Sequence, residues 1–122
     1  MGYLSADDIL GADDLLREPV EVPEWGGTVL VQGMTGTERD KFEASMMNSK
    51  LDGVDRDRAL ERYRARLAVA CLVDESGKRL FRSEPEMKRL SEKSAQALTR
   101  VVEVASRLSG LTDSDVEELT GN

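Results

Sequence analysis

The chain has 122 residues, of which 39% are hydrophobic and 34% are charged, and its formal net charge is −7. This length and composition suit one domain with a modest hydrophobic core, and they exclude a fully disordered chain. The negative charge argues against a protein that binds nucleic acid or an anionic membrane surface, because phosphate groups would be repelled by this field.

The chemistry that the chain lacks narrows its function further. There is no histidine, which excludes His-based acid–base catalysis, catalytic triads and His metal sites. The single cysteine, Cys71, cannot form an internal disulfide, and without an imidazole to activate it a thiol nucleophile is not expected. No apolar run approaches the roughly 18 residues of a membrane span, and the first residues lack the pattern of a signal peptide. We therefore expect a non-enzymatic, cofactor-free, soluble protein of a reducing cytoplasm.

Residues 1–17 predict an acidic N-terminal arm. The sequence ADDIL is nearly repeated six residues later as ADDLL, and Ser5 with Asp8 is a helix-start signal that Gly11 interrupts. The arm carries two apolar pairs, Ile9 with Leu10 and Leu15 with Leu16. Two alternatives remain open: a terminal helix that docks on the protein's own core, or a mobile arm that docks on a partner.

Residues 18–33 predict a β-hairpin. Pro19 and Pro23 flank alternating valines, which suits an edge strand because proline cannot donate a hydrogen bond to a β-ladder. A β-branched segment follows the Gly-Gly pair at 26–27, where glycine can supply the positive φ of a tight turn. Trp25 ends the first strand. We expect it to be partly buried against the hairpin, with an exposed contact role as the alternative.

Two long helices are predicted next. Thr35 and Glu38 form the capping-box pattern that begins the first helix, which we expect to end between Asn48 and Gly53. The second helix begins near residue 55. At about 100° per residue, its apolar residues share one face. These residues are Ala59, Leu60, Tyr63, Leu67, Ala70 and Cys71.

Three features of this helical region need interpretation. The methionines at 46–47 either pack in the core or form a flexible surface that binds a partner. Arg58, Arg62 and Arg66 form a basic stripe that either recognises an acidic partner or pairs with the protein's own carboxylates. The acidic stretch at 52–57 does not match a calcium-binding loop, because its glycine and acids are misplaced and the closing glutamate is absent.

The remainder of the chain predicts a short hairpin, a core helix and an acidic tail. A polar turn with Gly77 lies within residues 72–82 and predicts the hairpin or a tight reverse turn. Ser83 can cap the helical segment that follows, whose apolar periodicity is clearest over residues 94–108 and predicts the central core helix. The tail, residues 111–122, is either a short docked helix or a mobile acidic segment.

Together these elements predict a mainly α fold of the α+β class. We expect one domain over residues 1–122, with three to four main helices, an N-terminal β-hairpin and a second short hairpin near 72–82. Because the sequence has no set of residues typical of a catalytic site, we expect a protein that acts by binding other proteins. The candidates are an acidic adaptor, an inhibitor that mimics nucleic acid, and a holdase with apolar segments.

The order of the segments resembles a known protein family. The residues that carry the resemblance are VEVPEWGGTVLVQGMTGTERDKFE at 20–43, CLVDESGKRLF at 71–81 and LSEKSAQALTRVVEVASRLSGL at 90–111. They resemble the tail assembly chaperones of long-tailed, siphovirus-type phages and prophages, particularly those of actinobacteria, and the similarity covers residues 4–119. The resemblance implies a host-cytoplasmic protein, absent from the mature virion, that keeps the tape measure protein soluble while tail tube subunits polymerise around it.

The resemblance also implies which partners to expect. Many relatives make a longer product by a programmed frameshift, and its extension helps to recruit the major tail tube protein. We expect partner contacts from the apolar side chains near both ends of the chain, which are Ile9, Leu10, Leu15, Leu16, Val116 and Leu119. The alternative function is an acidic regulator, such as a nucleic-acid mimic that acts on a host protein.

Overall fold

Most of the chain is helical, with a small antiparallel sheet near its N-terminus. A computed structural model describes residues 2–51 and 56–120, and within these ranges the chain forms six α-helices and three strands. In chain order they are α1 (Ala6–Leu10), β1 (Arg17–Val22), β2 (Gly27–Gln32), α2 (Gly36–Leu51), α3 (Arg56–Cys71), β3 (Leu72–Val73), α4 (Glu84–Ser91), α5 (Ala95–Leu108) and α6 (Asp113–Leu119). The predicted mainly helical α+β fold is confirmed. Residues 52–55, part of the stretch compared with a calcium loop, lie outside the described residues.

The sheet has the strand order β1–β2–β3, and both strand pairs are antiparallel. Strand β1 lies at the sheet edge, as its prolines predict, and directs Val20 and Val22 into the core. The predicted turn is a 3₁₀ turn at Pro23–Trp25, which Gly26 closes in the left-handed conformation with φ of 79°. Trp25 is half-buried and packs against the core, so its expected partial burial is confirmed.

The second predicted hairpin is present but small. Strand β3 pairs with β2, and the chain then turns back so that Val73 bridges to Arg79. The Asp74 N–H donates to the Lys78 carbonyl at 2.8 Å and closes the turn. This hairpin brings the arginine-rich segment after it close to the helices.

Helix α5 is the central element of the core, as its periodicity predicts. It packs against α3 and against strands β1 and β2. Its buried side chains are Ala97, Leu98, Val101, Val102 and Ala105. On the predicted face of α3, Leu60 is half-buried, and the buried residues are Ala59, Tyr63, Leu67, Ala70 and Cys71. The two methionines of α2 differ, because Met46 is fully buried core filler whereas Met47 is 47% exposed.

Local capping signals place the helix ends. Four cap residues accept a hydrogen bond from the backbone N–H three residues on, while the acid at that position accepts one from the N–H of the cap residue. These cap residues are Ser5, Thr35, Ser83 and Thr112. Ser94 caps α5 by accepting the Ala97 N–H at 3.3 Å, which divides the helical segment after Ser83 into α4 and α5.

Gly33, between β2 and α2, lies against the end of α5. A Cβ at this position would lie 2.5 Å from the Leu108 carbonyl oxygen, and backbone atoms cannot move aside as the tip of a side chain can. We predict that Gly33→Ala lowers the free energy of unfolding by about 1–3 kcal/mol, because an added methyl overpacks the contact. Urea denaturation measures this loss.

Gly36→Ala is the matched control. Among the described residues nothing lies within 4 Å of its Cβ position, and Gly36 begins a helix. Alanine there should be neutral or stabilise by up to about 1 kcal/mol. An equal loss of stability in both variants would contradict the close approach at Gly33.

Candidate functional site

The N-terminal arm, which the structure describes over residues 2–16, carries most of the exposed large apolar side chains. Seven such side chains are exposed among the described residues, and five of them lie in the arm. They are Tyr3 (104%), Leu4 (73%), Ile9 (58%), Leu10 (83%) and Leu16 (63%). Large apolar side chains that are left exposed within one short segment are typical of a protein–protein contact. Tyr3 and Leu4 belong to it although the sequence patterns did not single them out.

Helix α1 is stabilised locally and not by burial. It has five residues, a Ser5–Asp8 capping box and no buried side chain, and a helix this short gains little from its own hydrogen bonds. The arm joins the rest of the protein where the Gly33 N–H donates to the Leu16 carbonyl at 3.0 Å, next to the half-buried Leu15. The predicted short helix is therefore confirmed, and its own side chains are not docked on the core.

Four aspartates accompany the apolar pairs of the arm. Asp7 and Asp8 precede the first pair, and Asp13 and Asp14 precede the second. The pKa of Asp8 is lowered, first by the hydrogen bond from the Ser5 backbone and then by the Ser5 hydroxyl. Charged carboxylates beside each apolar pair oppose nonspecific association of the exposed surface.

The other predicted contact region, α6, is docked on the rest of the protein. Leu119 is 6% exposed and belongs to the core, and Val116 packs against the core half-buried. Arg39 of α2 reaches α6, where its Nη2 lies 3.4 Å from the Asp115 carboxylate. The pKa of Asp115 is lowered, first by the Thr112 backbone hydrogen bond and also by Arg39. Of the side chains predicted to contact a partner, Ile9, Leu10 and Leu16 are exposed, Leu15 and Val116 are half-buried, and Leu119 is buried.

A second surface feature, which we call the cationic groove, crosses α3. One cleft of about 460 Å³ lies between α3 and α4, and another of about 230 Å³ lies between α2, α3 and residues 79–84. Arg66, Glu84 and Met87 line both clefts, so the two clefts adjoin. The cations that line it are Arg58, Arg62 and Lys88 in the first cleft, Lys41, Arg79 and Arg82 in the second, and Arg66 in both.

Part of the charge in the cationic groove is balanced internally. Arg66 Nη2 lies 3.7 Å from the Glu84 carboxylate, and Arg79 Nη2 lies 3.3 Å from the Glu38 carboxylate. With Glu61 as the third acid, seven cations face three carboxylates. The predicted arginine stripe of α3 thus forms part of the groove lining, and Arg66 pairs with the protein's own Glu84. Only folding adds the cations of α2, of α4 and of residues 79–82, because they are distant in sequence.

Cys71 lies in the core, with its Sγ 3.7 Å from Ser109 Oγ. Burial raises the pKa of its thiol to about 11, so the nucleophilic thiolate is scarce at neutral pH. Within residues 2–51 and 56–120, no cluster of metal-ligating side chains occurs, and no helix has both the length and the apolar character needed to cross a membrane. The chemistry that these surfaces offer is that of apolar and ionic contacts.

Comparison with known protein families favours one of the functions that the sequence patterns left open. A family model described as phage tail assembly chaperone matches residues 12–121, which is most of the chain. The chain belongs to this family. No curated protein and no solved structure matches it. The resemblance to tail assembly chaperones noted from the sequence is confirmed.

The matched region contains the whole cationic groove of the chaperone and part of its N-terminal arm. The cationic groove and α6 lie inside it, as does the second apolar pair of the arm at Leu15 and Leu16. Helix α1 precedes it. The groove, the docked C-terminal helix and the second apolar pair therefore all lie within the part of the chain that defines the family.

Substitutions at Leu119 and Leu10 of the chaperone compare a buried side chain with an exposed one. Leu119→Ala removes buried methyl groups, so we expect a loss of about 2–5 kcal/mol in the free energy of unfolding. Leu10→Ala alters an exposed side chain and should change that free energy by no more than about 0.5 kcal/mol. Urea denaturation of both variants tests this, and similar values for the two would show that α6 is not docked in solution.

The burial of Cys71 predicts slow thiol modification in the folded chaperone. Because the pKa of the thiol is about 11, the thiolate fraction at pH 8 is small in the folded protein and much larger in the unfolded chain. We expect labelling by a thiol-reactive reagent to be about 100-fold slower in the native protein than in denaturant. A labelling time course followed by absorbance measures the ratio, and equal rates would place the thiol at the surface.

Proposed function

We propose that this chaperone binds the tape measure protein of its phage and keeps it soluble while the tail tube forms around it. The observation that carries the proposal is the exposed apolar surface of the arm in a member of a tail assembly chaperone family. The chaperone acts in the host cytoplasm. It is absent from the mature virion, because tube subunits take its place on the tape measure protein.

The strength of the arm contact suits a chaperone that must later leave. The family resemblance implies a client that is long, helical and prone to aggregate. A fully buried Leu or Ile side chain contributes about 1.5–3 kcal/mol, and association costs at least several kcal/mol in lost freedom and ordering. The apolar side chains of one arm, which include Ile9, Leu10 and Leu16, therefore give a reversible contact. Many copies along one client cover it collectively, while each copy can still dissociate.

The negative charge of the chaperone supports the same role. Each bound copy adds a formal charge of −7 to the client, and aspartates lie beside the apolar pairs that make contact. Like charge keeps coated clients apart and so opposes their aggregation.

Recruitment of tail tube subunits belongs to the same proposal. The resemblance implies a longer product, made by a programmed frameshift, whose extension attracts the major tail tube protein. The form described by this sequence then coats the tape measure protein, and the longer form brings the tube subunits to the coated client. Tube subunits that bind the longer product and not the shorter one would support this division.

Co-expression with the cognate tape measure protein tests the role of the arm. Ile9→Ser, Leu10→Ser and Leu16→Ser together remove three exposed apolar contacts without altering the core. We expect the soluble fraction of the tape measure protein to fall severalfold relative to wild type, because the client's apolar surface is no longer covered. The soluble fraction is measured by centrifugation and quantitative blotting.

The matched control replaces exposed apolar side chains elsewhere. Met47→Ser with Leu80→Ser removes side chains of similar exposure outside the arm, and it should leave client solubility unchanged. Thermal unfolding of both variants confirms that the fold is retained. If the arm variant keeps the client as soluble as wild type does, the arm is not the contact. If the client is soluble without any chaperone, the solubilising role itself fails.

A further inference from the structure

Arg66 of α3 has a half-buried guanidinium that the rest of the chain satisfies poorly. Its side chain is 23% exposed, and among the described residues it makes no hydrogen bond, although arginine has several N–H donors. Its Nε–H is buried without an acceptor in this part of the chain. Its ion-pair partner, Glu84, lies 3.7 Å from Nη2, which is longer than a hydrogen bond. Because buried donors are normally satisfied, Arg66 can take a further acceptor.

The second cleft of the cationic groove, which Arg66 lines, has more cations than carboxylates. Four cations and two carboxylates line this cleft. Arg79 is paired with Glu38 at 3.3 Å. Lys41 and Arg82 are exposed, and within residues 2–51 and 56–120 neither is in an ion pair. Both are therefore available to a carboxylate that enters the cleft.

The same cleft also has an apolar side. Phe42 is buried beneath it, and Val69 and Met87 line it half-buried. Its volume is about 230 Å³, which is less than that of clefts that take drug-sized ligands and suits a pair of side chains from a partner. A segment that complements this cleft therefore places a carboxylate next to an apolar side chain.

We propose that the second cleft binds a carboxylate side chain of the tape measure protein, which accepts two hydrogen bonds from Arg66 while an adjacent apolar side chain packs on Phe42 and Met87. The proposal rests on the proposed function, which makes that protein the client. Two parallel N–H···O bonds to one carboxylate are shorter and stronger than the present contact with Glu84. Glu84 is 74% exposed and can return to solvent, because an exposed ion pair contributes little.

The chemistry of the cleft favours a carboxylate of a helical client over a nucleic-acid backbone. Glu38 and Glu84 lie in the cleft and the net charge of the chain is −7, so a row of phosphates would be repelled. A single carboxylate beside an apolar side chain occurs where the apolar stripe of an amphipathic helix meets its charged face. The arm would then supply apolar contacts, and the cleft would select the segments of the client that carry an acid at this edge.

Overlapping peptides of the cognate tape measure protein test this selection. Fluorescent peptides of about 20 residues, long enough for several helical turns, are titrated with the full-length chaperone and followed by anisotropy. In the peptides that bind most tightly, we expect replacement of one Glu by Gln, or of one Asp by Asn, to weaken binding about tenfold. Peptides that bind equally well without any carboxylate would overturn the proposal and leave tape measure binding intact. Absence of binding by every peptide would contradict the proposed function and this proposal together.

Arg66→Lys tests the contact from the side of the chaperone. Lysine keeps the charge but cannot present two parallel N–H groups, so we expect about a tenfold loss of affinity for the acidic peptides. The peptides in which the acid has been replaced should bind this variant and wild type alike. Thermal unfolding checks that the variant is folded. Equal loss for both kinds of peptide would contradict recognition of the carboxylate by Arg66.

Charge reversal at exposed positions provides a test that does not depend on a half-buried side chain. Lys41→Glu with Arg82→Glu reverses the two cations without an ion pair, and we expect it to weaken binding of the acidic peptides about tenfold or more. The matched control, Arg64→Glu with Lys93→Glu, makes the same change in net charge at exposed positions outside this cleft and should bind as wild type does. Equal effects of the two variants would show a general effect of charge and overturn the cleft as the site.

A complementary change in the peptide locates the acid. Lysine in place of the identified Glu or Asp should weaken binding to wild type and restore binding to the Lys41→Glu, Arg82→Glu variant, because the charges are then opposite again. Failure of this rescue would contradict a direct contact. Displacement of the peptide from wild type by a single-stranded oligonucleotide of about 20 bases would assign the cleft to phosphate and likewise overturn the proposal.

Discussion

The burial of one broad apolar arc of α5 between α3 and the sheet is the contact on which the rest of the structure depends. Val101 and Ala105 are fully buried in it, and apolar burial of this kind is the dominant favourable contribution in folding. Since α3, β1 and β2 all touch α5, the positions of the hairpin and of the cationic groove follow from this packing. The bidentate ion pair from Arg100 to Glu24 lies at its edge, where exposed charges orient the turn more than they stabilise it.

Apolar surface is divided unevenly between the packed part of the chaperone and the arm. Among the described residues, the sheet and the helices after α1 bury or half-bury nearly all of their large apolar side chains, whereas α1 buries none. A chaperone of this size faces a physical constraint, because the surface with which it binds a partner cannot also contribute to its own core. In the proposed role of the arm, that surface lies on a short capped segment before β1, which keeps the folding of the core independent of binding.

Acidic and basic residues also lie in different regions of the chaperone, which its net charge alone does not show. The acids are frequent in the arm and near α6, while the arginines of α3 and of the segment after β3 converge on the cationic groove. Separated charges of opposite sign give a surface that can orient a partner, which a uniform distribution of the same net charge cannot do. The net charge of −7 predicted low affinity for nucleic acid, but it did not predict a groove lined by seven cations.

Local signals in the sequence were sufficient for most elements of this protein. The capping boxes at Thr35 and Thr112, the turn at Gly26 and the periodicity of α5 each depend on residues three or four apart or on adjacent residues. Such interactions act within one turn or one hairpin, so their pattern is visible in the linear order. The family resemblance has the same origin, since it rests on the order of these segments.

Tertiary structure alone decided which of these segments are surface and which are core. The sequence could not show that Arg39 reaches Asp115, that Leu119 enters the core, or that cations from separate segments form one groove with Arg66. These contacts join residues that are distant along the chain, and several of them depend on α3, which packs against α2, α4 and α5. Whether an apolar residue near a chain end is buried depends on such long-range contacts, because hydrophobicity is the same property in a core side chain and in a binding side chain.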